Sequence, residues 1–176
     1  MPPIEDARTP LDELVTAERD IVKRLDELQL DVDLEAMGVV SNIYRAASAI
    51  RRHMEQAVLV EARLSWTGFV ALWVLWMWGE MEARHLAAEA NVSKGTLTGV
   101  LDTLEARGLA ARRRHTDDRR QVSVALTAEG EHLIAVLFPR FNEEETRIAA
   151  LMTAGQRQAV TAGLRRIVRD LPDPED

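Results

Sequence analysis

The sequence predicts a mainly α-helical fold carrying one small β-hairpin, and three observations support this. Apolar residues recur at helical spacing through most of the 176 residues. Strict alternation is confined to Val122-Ser123-Val124-Ala125-Leu126. A polar, arginine-rich run, His115 to Arg120, separates that alternation from a second candidate strand over 110–114.

Taken from the N-terminus, Thr9-Pro10 reads as a helix cap followed by a first-turn proline, with Asp12 and Glu13 placed to complement the helix dipole. Leu11, Leu14, Val15, Ile21, Val22, Leu25 and Leu28 then form one stripe to about Gln29. A second long helix is predicted through Leu34, Met37, Ile43, Ala47, Ile50, Met54 and Val58. The uncharged stretch 64–79 follows, with Trp66, Phe69, Trp73 and Trp76 on one face and Leu72 and Leu75 nearer another. It is short for a membrane span, which needs about 17 to 25 apolar residues, and it carries Ser65, Thr67 and two glycines; a buried helix is expected. At the other end, 129–151 is helical with Pro139 as a kink, and Thr153 to Gln156 has the form of a capping box. The last helix presents Val160, Leu164, Ile167, Val168 and Leu171 on one face. Long amphipathic helices at both termini, with no sheet to cover them, call for a partner surface, which a symmetric dimer supplies.

The chemistry lies between Leu86 and Gly130. A short helix over 83–90 breaks at Asn91-Val92, and Ser93 caps the next helix. There Leu97, Val100, Leu101 and Leu104 must face a core, which leaves Lys94, Thr96, Thr98, Asp102 and Thr103 outward. A DNA major groove admits such a helix, and Ser and Thr can exchange hydrogen bonds with base edges. An ordinary solvated face is the alternative. Gly108 ends the helix as a left-handed cap, and Arg112, Arg113, Arg114, Arg119 and Arg120 then share one hairpin. Arginine forks onto phosphate or enters a narrow minor groove, so the hairpin is a second candidate contact. Asp118 is expected to orient Arg120.

Leu86-Ala87, Ser93, Leu104-Glu105, Gly108-Leu109, Asp118-Arg119-Arg120 and Leu126-Thr127-x-x-Gly130 resemble, in order and spacing, the signature of the MarR family of transcription regulators over roughly 64–130. The resemblance implies a winged helix-turn-helix, an obligate homodimer built from terminal helices, and a pseudo-palindromic double-stranded DNA operator. It places a recognition helix over 93–107 and a wing over 110–127, with Arg120 at the minor groove. The DNA-contacting set is then Ser93, Lys94, Thr96, Thr98, Arg112, Arg114, Asp118, Arg119 and Arg120. Where many members carry an arginine in mid-helix, this chain has Gly99. The resemblance also implies an effector cleft beside the tryptophan helix, with Tyr44, His53, Trp66, Phe69, Trp73 and Trp76 as candidate contacts to a small aromatic or amphipathic effector. Core packing is the competing role for those aromatics. The implied layout is dimerisation helices over 1–63, including an extra N-terminal helix, a DNA-binding domain over 64–127 and dimerisation helices over 128–176.

Composition is compatible with this despite a net charge of −7. From Arg84 to Arg120 eight basic residues oppose five acidic ones, so a basic reader sits on an acidic body. Without cysteine there is no disulfide, thiolate zinc site or thiol redox sensor. No cofactor, metal site or enzymatic activity is expected: His85 and Glu89 lack a third ligand, and there is no phosphate loop or nucleophile elbow. The first residues lack a basic end and an apolar run, which points to a cytoplasmic protein with no membrane partner. The rival reading is a winged-helix module whose arginines dock an acidic protein instead of DNA.

Overall fold

The computed structural model describes residues 16–114 and 122–172, in two units, one ending at Ile50 and one starting at Arg51. Asp118, Arg119 and Arg120, and the cap at Thr9-Pro10, lie outside the described residues.

In the first unit, helix α1 (Thr16–Glu27) stops where Gln29 takes a left-handed conformation (φ 53°), and helix α2 (Leu34–Met54) opens with the Asp33 side chain accepting from Ala36 N at 2.9 Å. Glu18 of α1 accepts a hydrogen bond from Asn42 Nδ2 (2.5 Å), with Arg45 3.8 Å away. The apolar residues Leu28, Leu30, Val32, Val39, Val40 and Tyr44 are exposed in this single chain.

The second unit begins with the end of α2, whose helical repeat does not run unbroken through Val58. It widens into one π-helical turn, Glu55–Leu59, which seats Val58 and Leu59 in the core. Glu55 then reaches forward to accept from Trp66 N at 3.2 Å, supplying a partner for an orphan first-turn N–H of helix α3 (Trp66–Trp78). Ser65 caps the same helix by accepting from Gly68 N (3.1 Å), and Gly79 (φ 78°) ends it. Strand β1 (Met81–Glu82), helix α4 (Ala83–Glu89), helix α5 (Lys94–Ala106), strands β2 (Ala110–Arg114) and β3 (Val122–Leu126), helix α6 (Ala128–Ala149) and helix α7 (Ala154–Asp170) complete the chain.

The expected hairpin is present, with Ala110 opposite Leu126 and Arg114 opposite Val122. It is also extended by β1, which pairs antiparallel with β3 to give the order β1-β3-β2; a two-residue strand is too short to leave a periodic signal. Alternation along β3 is imperfect, because Ser123 is buried beside Val124. Its hydroxyl donates to Glu80, which also accepts from Arg113 (3.1 Å), so a polar clasp covers the face that Ser123 was expected to expose.

Leu72 and Leu75 of α3, Leu86 of α4, Leu97, Leu101 and Leu104 of α5, Val124, and Ile134 and Leu137 of α6 form one core. The junction from wing to α6 explains the spacing of Leu126-Thr127-x-x-Gly130. Thr127 caps α6 by accepting from Gly130 N (3.1 Å) and donates through its own hydroxyl to Gly108 O (2.5 Å). A Cβ on Gly130 would lie 1.9 Å from Leu109 O, so only glycine lets the helix start that close to the strand. Pro139 lies within α6, as expected, and the capping box at Thr153 is formed in full.

Candidate nucleic-acid interface

Helices α4 and α5 are joined by a turn in which Asn91 takes a left-handed conformation (φ 51°) and Ser93 accepts from Thr96 N at 3.1 Å. Leu97, Leu101 and Leu104 anchor one side of α5, which leaves Ser93, Lys94, Thr96 and Thr98 exposed on the other, as the apolar repeat predicts. The helix closes at Gly108 (φ 69°) with Leu109 N donating to Leu104 O (2.9 Å).

The arginines divide by role. Arg112 departs from its expected place as a DNA contact: its Nη1 donates to Asp102 (2.6 Å) and Glu105 (2.9 Å), and its Nη2 donates to Thr98 O (2.8 Å). Glu105 also accepts from Arg112 N at 2.7 Å. The guanidinium is thereby a brace between the wing's first strand and α5, and its forked geometry suits that bridging task. Arg107, which no sequence signal marks, performs a similar task at the C-terminal end of α5, donating to Ala62 O (2.8 Å) and Arg63 O (2.7 Å). Both contacts span more than forty residues, beyond the reach of any helical repeat. Arg113 belongs to the Glu80 clasp. Arg114 stands at the last position of β2, next to the wing residues outside the described range.

A groove of about 230 Å³ runs between the start of α3 and the flank of α5, lined by Arg63, Ser65, Gly68, Thr96, Gly99, Thr103 and Arg107 among others. Two cations and three hydroxyls share its walls with Leu64, Val100 and Leu104, along the edge of the exposed face of α5.

The expected effector residues are distributed differently from the sequence picture. Phe69 is buried and stacks on Phe141 of α6 at 4.1 Å, Trp66 lies 5.9 Å from the same ring, and Trp76 lies 5.7 Å from Phe138. The aromatic stripe is therefore occupied largely by α6, the packing alternative that the sequence left open. Trp73 meets Trp78 edge-on at 5.4 Å, and its Nε1 is buried with no hydrogen-bond partner among the described residues. His53 Nε2 sits 3.0 Å from Glu144, whose carboxyl is held below its ordinary range chiefly by that hydrogen bond, with Arg147 adding to the effect. Tyr44 belongs to the first unit and is exposed.

A helix–turn–helix whose second helix is braced to a strand-backed, arginine-rich hairpin is the architecture of a winged-helix DNA-binding protein. Comparison with known proteins agrees. The MarR family model matches residues 64–122. An uncharacterised HTH-type transcriptional regulator of Bacillus subtilis, YwaE, is 36% identical over 155 residues, covering 88% of this chain and 91% of that protein. The HTH-type transcriptional repressor NicR of Pseudomonas putida is 27% identical over 144 residues, 82% of this chain and 89% of the repressor. Among solved structures, Bordetella bronchiseptica BpsR, described in terms of regulation of its DNA binding by 6-hydroxynicotinic acid, superposes with a TM-score of 0.69 at 26% identity, over 74% of this chain and 98% of that one. The chain belongs to the MarR family and is a DNA-binding transcriptional regulator. The rival reading, a module that docks only protein, is set aside.

Proposed function

We propose that the protein is a homodimeric, ligand-responsive repressor that binds a pseudo-palindromic operator, with α5 in the major groove and the wing on the flanking DNA. The observation that carries this is the exposed α5 face bearing Ser93, Lys94, Thr96 and Thr98, backed by three fully buried leucines and held at a fixed angle by Arg112 and Arg107. Lys94 supplies a phosphate or base contact at the helix start. Arg114, Asp118, Arg119 and Arg120 are assigned to the wing's contact with DNA, and Arg112 to positioning. Residues 1–63 and 128–176 carry the dimer. The exposed stripe of Val160, Leu164, Ile167, Val168 and Leu171 supports that assignment, because a solitary chain leaves it in water.

The effector is a small aromatic acid, a class suggested by the ligand named for BpsR. Trp73 Nε1, which has no hydrogen-bond partner among the described residues, is the donor such a ligand would engage, with Trp66, Phe69 and Trp76 of the same helix as the aromatic wall. Binding acts by favouring a spacing of the two readers that no longer fits successive major grooves, for which a differential affinity of about 1 to 3 kcal/mol suffices. Among the described residues no helix is long and apolar enough to cross a membrane, and the repressor is assigned to the cytoplasm.

The test is selection of genomic fragments by purified protein at several salt concentrations. The expected product is an inverted repeat with half-sites about one helical turn apart. If the dimer touches about 6 to 10 phosphates, its affinity falls about 10³- to 10⁵-fold between low and moderate salt. Sequence-blind binding, or none, overturns the proposal. Loss of operator binding on adding aromatic acids tests the effector arm, and unchanged affinity across a broad panel removes it.

A further inference from the structure

We propose that α5 recognises thymine 5-methyl groups, with Thr98 and Thr103 as the specificity-determining residues, instead of forking hydrogen bonds onto guanine or adenine. The inference rests on the assignment of α5 to the major groove.

Gly95, Gly99, Asp102 and Ala106 recur at i, i+4, i+7 and i+11, opposite the buried Leu97, Leu101 and Leu104. The most outward line of the helix thus carries two glycines and an alanine, and its one polar side chain, Asp102, is paired with Arg112. A Cβ on Gly99 would meet nothing within 4 Å, and one on Gly95 would meet only the Ser93 hydroxyl at 3.9 Å. At Gly95 and Gly99 base edges can therefore come close to the helix backbone, and the short side chains on either flank are long enough to reach them.

What those flanks offer is narrow. Residues 94–106 hold no Arg, Asn or Gln, the side chains that pair in bidentate fashion with guanine or adenine. Lys94, at the first helical position, is the sole cation of the helix. Arg112, the nearest guanidinium in the wing strand, is held by Thr98 O, Asp102 and Glu105. The hydroxyls are also engaged: Ser93 and Thr96 pair with each other at 2.9 Å within the cap, Thr98 Oγ1 donates to Lys94 O (2.9 Å), and Thr103 Oγ1 donates to Gly99 O (3.1 Å). With those protons committed to helix carbonyls, Thr98 and Thr103 meet the groove with a methyl and with oxygen lone pairs, and offer no donor. Only a T·A pair presents a methyl in the major groove. The lone pairs could accept from an adenine or cytosine amine, and the variants below separate that contact from the methyl one.

The experiment uses the full-length dimer and the operator recovered by fragment selection, with thymines replaced one at a time by deoxyuridine, which removes only the 5-methyl. Affinity is expected to fall about fourfold for each methyl that α5 covers, the factor for one buried methyl-sized group. Thr98→Val, which keeps the methyl and drops the hydroxyl, should bind like the wild type. Thr98→Ser, which does the reverse, should lose a similar factor and become indifferent to uridine at the position it faced; Thr103→Val and Thr103→Ser give the same contrast independently. Unchanged affinity on every uridine operator, or retention in Thr98→Ser with loss in Thr98→Val, overturns the methyl readout while leaving operator binding intact. Failure to recover any operator overturns the groove assignment, and this inference with it.

Discussion

Helix α3, apolar almost all round, and helix α7, apolar along one face, are both of moderate length, yet their apolar surfaces have opposite fates. α3 has no charged residue, and Gly68, Phe69, Ala71, Leu72, Val74 and Leu75 are buried against α4, α5 and α6 of the same chain. α7 has no buried residue, although Val160, Leu164, Ile167 and Leu171 mark one face as plainly as any core stripe. An apolar stripe states that a helix needs a partner, and says nothing about whether that partner is in its own chain. For the aromatic face of α3 the partner is supplied by Phe138 and Phe141 of α6. For α7 it is assigned here to a second copy.

The sharpest way to break this contrast is a charge on α7. Leu164→Asp combined with Ile167→Asp should leave the core untouched and convert the protein to a monomer by analytical ultracentrifugation. Operator affinity should drop about 10²- to 10⁴-fold as the two linked readers become independent. A variant that remains dimeric removes α7 from the interface. The matching change on the α3 side is Phe141→Ala, which takes away the ring stacked on Phe69. Denaturant unfolding should report a loss of about 3 to 5 kcal/mol. Gly130→Ala forces a methyl against Leu109 O and is expected to cost about 1 to 3 kcal/mol in the same assay, since strand and helix must separate to admit it. At α7 itself, Thr153→Ala removes the capping box and should lower stability by about 1 kcal/mol, with no change in the reader's spectrum.

The smallest effect concerns pH. Glu144, one turn beyond Phe141 on α6, is held below the ordinary carboxylate range chiefly by His53, so its charged form favours the folded state. That contribution is fully present above the ordinary carboxylate range and disappears as pH falls through the lowered value. His53→Ala should raise the Glu144 titration midpoint in a carboxyl-resolved NMR titration, and an unmoved midpoint would assign the effect elsewhere.

Much of the reader was legible in advance because its signals are local. Ser93 as a cap, Gly108 as a left-handed terminator and the leucine repeat of α5 each depend on residues within one or two turns, and each stands where expected. The differences between sequence and structure have a common origin in distance. Arg112 reads as a DNA contact from its charge, whereas the carboxylates that engage it, Asp102 and Glu105, lie across the turn at Gly108. Arg107 leaves no sequence signal because its acceptors are backbone carbonyls 44 and 45 positions away. The strand β1 and the buried Ser123 escaped for a related reason: two residues carry no period, and a polar clasp depends on Glu80 and Arg113 meeting in space.

By itself, the sequence determined the class of fold, the start and stop of α5, the place of the hairpin and the membership of the family, since caps, turns and apolar periods act over a few residues through backbone hydrogen bonds and burial. Tertiary structure alone decided which arginines are braces, how fully the tryptophan face is taken up by α6, and that the hydroxyls of Thr98 and Thr103 are turned back onto their own helix. Those outcomes depend on which groups approach to about 3 Å after folding, and a side chain's availability to DNA is set by the partners it meets there.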